Sequence, residues 1–430
     1  MKSGVNIAVI GAGWAGCAAA VKATRLGHNV TVFEASRTPG GRARRLDVAH
    51  DGQTLSLDNG QHILIGAYSE TLKLMADVGV DIKASLQRIP LIMQFPDGSG
   101  LRLPSLPAPL DALVGILRAS GWSWADKLSL LKTATLWQLR KFKCSPQQSV
   151  ADLCKGLSPR VMATLIEPLC VSALNTPADR ASGQVFLTVL KDSLFAPQGG
   201  SNLLLPKADL SALLPDAALA WLAARGGKAR LGIRIQSVTA GDNQPWRLVG
   251  NADADLGPFD RVILACPPLE AARLVRSSNL PCADWLTLTE GLHHEAIATV
   301  YAMAPGKSLP QPMLALRSDA LHPAQFVFDR GQLGGPADLL AFVISASQQG
   351  SAELNPLVTG QAANQLGIKD LHILQTVVEK RATFACTPGL QRPGQQIAPG
   401  LLACGDYTEG PYPATLEGAV RSGLQAAGLL

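Results

Sequence analysis

Residues 5–34 read VNIAVIGAGWAGCAAAVKATRLGHNVTVFE, and their order decides the fold class. Val5 to Ile10 has the length and composition of a short buried strand. Gly11, Gly13 and Gly16 follow at the G-x-G-x-x-G spacing, with Ala12 and Ala15 between them. In such a turn the first glycine permits a tight bend and the second admits a pyrophosphate against the backbone. The third lets the helix lie close on the strand. The helix that starts here offers free N–H groups and the positive end of its dipole to the phosphates. A second strand closes on Glu34, about 20 residues on, where a carboxylate accepts hydrogen bonds from ribose hydroxyls. The five parts in this order predict a dinucleotide-binding unit. They leave open which dinucleotide.

A chain of 430 residues is too long for one compact core and is expected to form two domains. An apolar fraction of 47% beside 17% charged residues belongs to a globular protein with generous buried surface. The net charge of +5 comes from scattered basic residues, which excludes a nucleic-acid footprint and allows mild attraction to an anionic membrane. Eight cysteines form no C-x-x-C pair and no zinc spacing, so no metal site is expected and the thiols read as reduced. The first strand begins within a few residues of Met1, with nothing resembling a signal peptide before it. No apolar run reaches the roughly 18 residues that suggest a membrane span. The expected setting is the cytoplasm, with the inner face of the cytoplasmic membrane as the candidate surface.

Beyond Glu34, the loop ASRTPGGRARR carries Ala35, Gly40, Gly41, Arg42 and Arg44, and suits a bend over an extended dinucleotide. Asp58 to Gly60 signals a turn, followed by Gln61, His62 and a short strand to Ile65. Pro104, Pro107 and Pro109 then break the chain before two helical stretches, Leu110 to Ala119 and Trp124 to Lys143. Lys127, Lys132, Arg140, Lys141 and Lys143 give the second stretch basic flanks. Residues 105–143 therefore read either as a helical lid on their own domain or as a surface lying on a membrane. Lys228 to Ala240 alternates like one strand, and it is grouped with Arg247 to Gly250 and Asp260 to Ala265 as later strands of the dinucleotide sheet. The division expected is a discontinuous cofactor domain of 1–85, 200–275 and 391–430, with a substrate domain of 86–199 and 276–390.

The second strong signal is LLACGDYTEGPYPATLEGAVRSGLQAA, residues 401–427. It reads as a buried strand, a turn at Gly405-Asp406, and a helix of small residues from Thr415 and Leu416 onward. Asp406 at a strand end suits the hydroxyls of a ribityl chain. A helix N-terminus there suits the N1–C2=O edge of a flavin, which becomes negative on reduction. A nicotinamide enzyme has no need of this element so far from its glycine turn. The cofactor expected is FAD.

The glycine turn with Glu34, the Gly-Gly-Arg loop and the terminal Gly-Asp…Glu-Gly-Ala run together resemble the FAD-binding frame of the flavin amine oxidase and phytoene desaturase superfamily. The segments LDNGQHILIGAYSETLKLM (57–75), EPLCVSALNTPADRASGQVFLTVLKDSLF (167–195) and LLLPKADLSALLPDAALAWL (203–222) are similar to the hydroxysqualene dehydroxylase family of bacterial squalene and hopanoid synthesis. The resemblance implies an α/β fold, with a Rossmann-like FAD-binding domain and a mixed sheet-and-helix substrate domain. It implies Gly41, Arg42, Gly60 and Gln61 at the cofactor, with Ile235 touching the adenine through its backbone. The reaction implied is reductive dehydroxylation of a C30 allylic alcohol, with hydride from reduced FAD and protonation of the leaving hydroxyl. Tyr407 and Tyr412 are candidates for an aromatic wall, and His62, Glu409 and Glu167 for the proton donor. Asn175 is a candidate contact to the substrate hydroxyl, and 110–139 with 168–194 would form the apolar tunnel. The partners implied are a long-chain isoprenoid and an external electron donor of unknown identity, because no second nucleotide motif is present. A carotenoid-type desaturase running the flavin in the oxidising direction stays open. So does a non-catalytic prenyl-lipid carrier of the same fold. An amine oxidase fits less well, since no acidic site for an ammonium group is visible.

Overall fold

The computed structural model describes residues 4–194, 199–239, 245–251 and 254–430. In chain order, the elements that position the site begin with β1 (Asn6–Ile10), α1 (Trp14–Arg25) and β2 (Asn29–Glu34). Then come α2 (Ser69–Asp77), α3 (Leu110–Arg118), α4 (Trp124–Leu139), α5 (Glu167–Leu174) and α6 (Gly183–Leu194). The later strands are β3 (Lys228–Leu231), β4 (Arg261–Leu264), β5 (His294–Met303), β6 (Met313–Ala315), β7 (Phe326–Asp329), β8 (Leu339–Ser347) and β9 (His372–Phe384). The chain closes with β10 (Gln396–Ala398), β11 (Leu401–Ala403) and α7 (Leu416–Gly428).

One sheet runs in the order β3-β2-β1-β4-β11-β10. Its pairs are parallel except the last. These strands are buried on both faces, by α1 on one side and by the small sheet of Ser237–Thr239, Trp246–Val249 and Asp255–Phe259 on the other, which is why Ile7–Ile10 and Val262–Leu264 carry no alternation. The N-terminal unit forms as its local pattern predicts. In α1 the side chains of Ala15 through Val21 are buried, and Lys22 and Arg25 sit in the last turn, where positive charge suits the dipole. Small residues let α7 press directly on α1: a Cβ added to Gly423 would come within 2.1 Å of the Ala15 carbonyl oxygen. The α/β fold expected is the fold observed.

A second sheet, antiparallel throughout, runs β6-β7-β8-β5-β9. Here the side chains do alternate. Ala298, Val300, Ala302, Leu340, Phe342 and Ile344 face one way, onto the helix Ser351–Leu366. Ile297, Tyr301, Ala341 and Val343 face the other way, into the main core. Tyr301 donates from its hydroxyl to the Asp58 carbonyl at 3.0 Å, and the Gln61 N–H donates to Thr299 Oγ1 at 3.3 Å. These bonds fix the 58–62 loop to the second sheet.

Three expectations are corrected here. Lys228 to Ala240 is not one strand. β3 stops at Leu231, the chain turns at Gly232 (φ 75°), and Ser237–Thr239 joins a separate three-stranded sheet; Ala240 lies outside the described residues. Trp246–Val249 belongs to that small sheet as well, not to the dinucleotide sheet. Finally, the second helical stretch ends at Leu139, because Lys141 and Phe142 both take positive φ. Among the described residues no helix is long and apolar enough to cross a membrane.

Candidate active site

A cavity of about 830 Å³ runs from the glycine turn to the inner face of the second sheet. At its first end, the three glycines of the turn do different work. A Cβ on Gly11 would meet the Ala265 carbonyl oxygen at 2.5 Å, and one on Gly16 would meet the Gly11 carbonyl oxygen at 1.9 Å. Those two are required by the chain's own packing. A Cβ on Gly13 would meet nothing nearer than 3.9 Å and would stand in the cavity. The bare backbone at Gly13 is thus shaped for something outside the chain, as a pyrophosphate requires. The Gly40–Gly41 loop covers it: Gly40 N–H donates to the Ala12 carbonyl at 2.9 Å, and Gly41 lines the cavity with φ 63°.

The Glu34 carboxylate accepts from Ala12 N–H and from Ser36 N–H, each at 2.8 Å. Backbone thereby holds it at the cavity edge beside Ala35, with lone pairs left for hydroxyl donors. Ile235 is buried on the opposite wall. Its carbonyl already accepts from Arg273 at 2.8 Å, which leaves its N–H as the main-chain group for a ligand.

At the middle of the cavity the distant pieces meet. Arg42 donates to the Asp406 carboxylate and to the Ala382 carbonyl. Its own carbonyl accepts from Asn59, which also donates to Glu379. Gly405, Asp406, Thr415 and Leu416 line this part, and Thr415 Oγ1 caps α7 by accepting from Gly418 N–H at 2.9 Å. Tyr407 is buried at the wall, and its hydroxyl has no partner among the described residues. Burial holds that phenol well above its ordinary pKa, so it remains protonated. Tyr412 lines the cavity and donates to Asp192 on α6 at 2.9 Å.

Gly60, Gln61 and His62 all line the cavity. The His62 Nδ1 lies 2.9 Å from the Gly60 carbonyl, which can only accept, so Nδ1 carries the proton. Burial lowers the pKa of His62, Arg42 lowers it further, and the bond to Gly60 opposes them only in part. His294, also on the wall, is lowered by burial and by Arg42 and Arg381. Both imidazoles are neutral near pH 7. With Nδ1 protonated, His62 keeps its other ring nitrogen as an acceptor in the cavity wall.

The structure separates other residues from the site. Glu409 is exposed, outside the cavity, and its N–H donates to the Pro393 carbonyl. Glu167 caps a turn by accepting from Ala178 N–H and does not line the cavity. Asn175 does line it, but its amide is already engaged. It donates to Thr383 Oγ1 at 2.9 Å and accepts from Ala346 N–H at 2.7 Å, so it ties β8 to β9 at the cavity wall. The far half is apolar, built from Leu91, Ile92, Met93, Met313, Phe326, Phe328 and Val343, with Leu169, Ala173, Leu174, Val189, Leu190 and Leu194 beside them. Residues 110–139 do not contribute to it. The alternation of β7 and β8, with Phe326, Phe328, Val343 and Ser345 on one side, was the signal for this wall.

A buried carboxylate absent from the expected set supports the whole frame. Glu417 accepts from Glu70 N–H and Thr71 N–H, from the Thr71 hydroxyl and from Arg421, tying α7 to the start of α2.

The chain matches the flavin containing amine oxidoreductase family over residues 14–430. It is 31% identical over 442 residues to the hydroxysqualene dehydroxylase of Rhodopseudomonas palustris, covering 99% of this chain and 98% of that one. It is 26% identical over 446 residues to the protein of the same name in Zymomonas mobilis, covering 98% of each. The 15-cis-phytoene desaturase of Synechococcus elongatus is 24% identical over 466 residues, covering 98% of this chain and 95% of that one. Among solved structures, an oxidoreductase from Methanosarcina mazei superimposes with a TM-score of 0.73 at 17% identity, covering 99% of this chain and all of that one. Cyclohexylamine oxidase from Brevibacterium oxydans does so at 0.68 and 16%, covering 99% and 98%. At these identities the structures speak for the fold.

Proposed function

This chain belongs to the flavin containing amine oxidoreductase family, and within it we propose that the protein removes the hydroxyl of hydroxysqualene to give squalene. It is a flavoenzyme, and its cofactor is FAD. Gly11, Gly13, Gly41, Arg42, Glu34, Ile235, Asp406, Thr415 and Leu416 hold that cofactor in this reading. When bound and reduced, FAD supplies hydride to the carbon that loses oxygen. The balance is one hydride and one proton per turnover: a C–O bond breaks, a C–H bond forms with the hydride, and the oxygen leaves as water after taking up a proton drawn from solvent.

One observation carries the proposal: the glycine-lined cradle and a long apolar chamber form a single cavity. The apolar chamber suits a hydrocarbon chain and keeps water from the carbon that ionises. His62 and His294, held neutral, offer acceptor nitrogens that orient a hydroxyl, while the Tyr407 ring gives an aromatic face able to stabilise allylic positive charge. The relatives named hydroxysqualene dehydroxylase support the substrate. In the same reading an external donor reduces the flavin, the chain works in the cytoplasm, and 105–143 meet the inner face of the cytoplasmic membrane. Residues 1–85, 200–275 and 391–430 form the FAD-binding domain, and the rest forms the substrate domain.

The test is anaerobic mixing of dithionite-reduced protein with hydroxysqualene. Flavin reoxidation with squalene formed is expected. The desaturase-like relatives make one rival specific: oxidised protein whose flavin is bleached by squalene or phytoene would replace the dehydroxylase with a desaturase.

A further inference from the structure

Two helices carry their leucines on the wrong side for a protein surrounded by water. Among the described residues thirteen large apolar side chains are exposed, and eight of them lie between Leu106 and Leu139. On α4, Trp124 (68% exposed), Leu128 (60%), Leu136 and Leu139 (77%) recur at helical spacing along one outward stripe. The face of α4 turned inward contains Asp126 and Thr133 as well as Leu130 and Trp137. Asp126 is accounted for by a capping box with Ser123. Nothing comparable accounts for the outward stripe. On α3 the same inversion places Leu110, Leu113 and Leu117 outside and Asp111 inside. Isolated exposed leucines are ordinary, but a run of this kind marks an interaction surface.

Charge identifies the occupant. Residues 105–143 contain six basic side chains and two acidic ones, Asp111 and Asp126, and both acids are buried. Arg118, Lys132, Arg140, Lys141 and Lys143 have no carboxylate partner among the described residues. Lys127 donates to the Leu117 carbonyl at 2.8 Å and lies 5.2 Å from the Trp124 ring, joining the two helices at their apolar edge. A second copy of this chain would bring these unpaired cations against their own kind. A bilayer rich in anionic lipid offers both an apolar interior and negative headgroups, with tryptophan suited to the boundary.

We propose that α3 and α4 seat the protein on an anionic membrane face, with the leucine stripes sunk below the headgroups and the basic side chains among them. This sharpens the membrane contact in the reading above and rests on it for the substrate's origin. The seat is joined to the cavity: Trp122 Nε1, in the turn between α3 and α4, donates to Thr164 at 3.1 Å. Thr164 lies in a π-helical turn, Met162–Ile166, that runs straight into α5. On α5, Ser172 is both exposed and part of the cavity wall, so it marks a mouth of the chamber. An apolar substrate dissolved in the bilayer has a route that avoids bulk water.

The experiment is co-sedimentation of the FAD-loaded full chain with vesicles of phosphatidylcholine alone, and of equal parts phosphatidylcholine and phosphatidylglycerol. Binding to the anionic vesicles that weakens with salt is expected. In Leu128→Asp/Leu139→Asp, partition should fall by about tenfold or more, since two leucines leave the apolar layer and two charges enter it. Arg140→Ala/Lys141→Ala/Lys143→Ala should lose about tenfold or more on anionic vesicles only, since the three cations face the headgroups. Flavin content, and turnover of detergent-dispersed hydroxysqualene, should remain as in wild type for both variants. Wild-type protein that ignores both vesicle types overturns the proposal. So does equal binding by the leucine variant, or a concentration-dependent dimer lost in that variant while vesicles stay bare. Because binding is read without turnover, a failed dehydroxylase assay leaves it standing.

Discussion

Arg42 and Asp406, 364 positions apart, form an ion pair at the centre of the cofactor cavity. The same guanidinium holds the Ala382 carbonyl at the end of β9. One side chain therefore joins the N-terminal loop, the second sheet and the C-terminal turn. Asp406→Ala would leave Arg42 half-buried without its counter-charge and remove an acceptor from the cofactor. The expected result is an FAD dissociation constant raised about tenfold or more, from a charge-assisted bond of roughly 1.5–3 kcal/mol. Flavin fluorescence on titrating apoprotein measures it, and an unchanged affinity would remove Asp406 from the cofactor set.

Gly13 and Gly16 should fail in different ways. Gly16→Val drives a side chain into the Gly11 carbonyl and should cost at least about 3 kcal/mol, so that little folded protein accumulates. Gly13→Val meets open space within the protein, and its apoprotein should melt within about 0.5 kcal/mol of wild-type apoprotein. Yet it should hold no flavin. Thermal melts with and without added FAD distinguish the two, and a yellow, FAD-saturated Gly13→Val protein would show that the cradle lies elsewhere.

Stability should fall as the solution is acidified just below pH 6.5. His62 and His294 have folded pKa values below the ordinary 6.5, so the unfolded chain takes up their protons first, and folding loses ground as pH drops. Asp58 acts in the opposite sense. Burial pushes its carboxyl up to about 6, so the folded state gains the proton first and is favoured as pH falls from 6 toward 3.8. His62→Gln should flatten the upper part of the curve, and Asp58→Asn should steepen the lower part. Melting temperatures between about pH 5 and 8 provide the check; a His62→Gln curve parallel to wild type would mean that the imidazole is not held neutral.

Glu417→Gln tests the frame and not the chemistry. The carboxylate accepts from two backbone N–H groups, a hydroxyl and Arg421, and an amide would turn donors toward some of them. A loss of about 3 kcal/mol in denaturant titrations is expected. A change below about 0.5 kcal/mol would make the link between α7 and α2 incidental.

The cofactor half of the site was legible because its logic is local. Strand, glycine turn, helix and acid follow within thirty residues, and the C-terminal strand-turn-helix repeats the device. The apolar half was hidden for the opposite reason. Its wall takes alternate residues from β7 (Phe326, Phe328) and β8 (Val343, Ser345) beside Ile297 of β5, and pairing between distant positions such as Ile297 and Ser345 decides which alternation faces inward. Asn175 looked free because the Thr383 and Ala346 that occupy its amide are far away in sequence. Glu409 stands two residues from Tyr407, yet the loop turns one outward and the other into the core. For α4 the helical period was plain, but a period does not say which stripe meets water.

The packing of Gly423 against Ala15 also imposes an order on biosynthesis. A ribosome delivers β1, α1 and β2 first, and the small-residue face of α1 must wait for some four hundred further residues before α7 arrives to cover it. Asp406 and Thr415 emerge in that same last stretch. On the proposed reading, a nascent chain halted before Leu401 should present the glycine turn to FAD without retaining the flavin, and cofactor capture should wait for the C-terminal stretch.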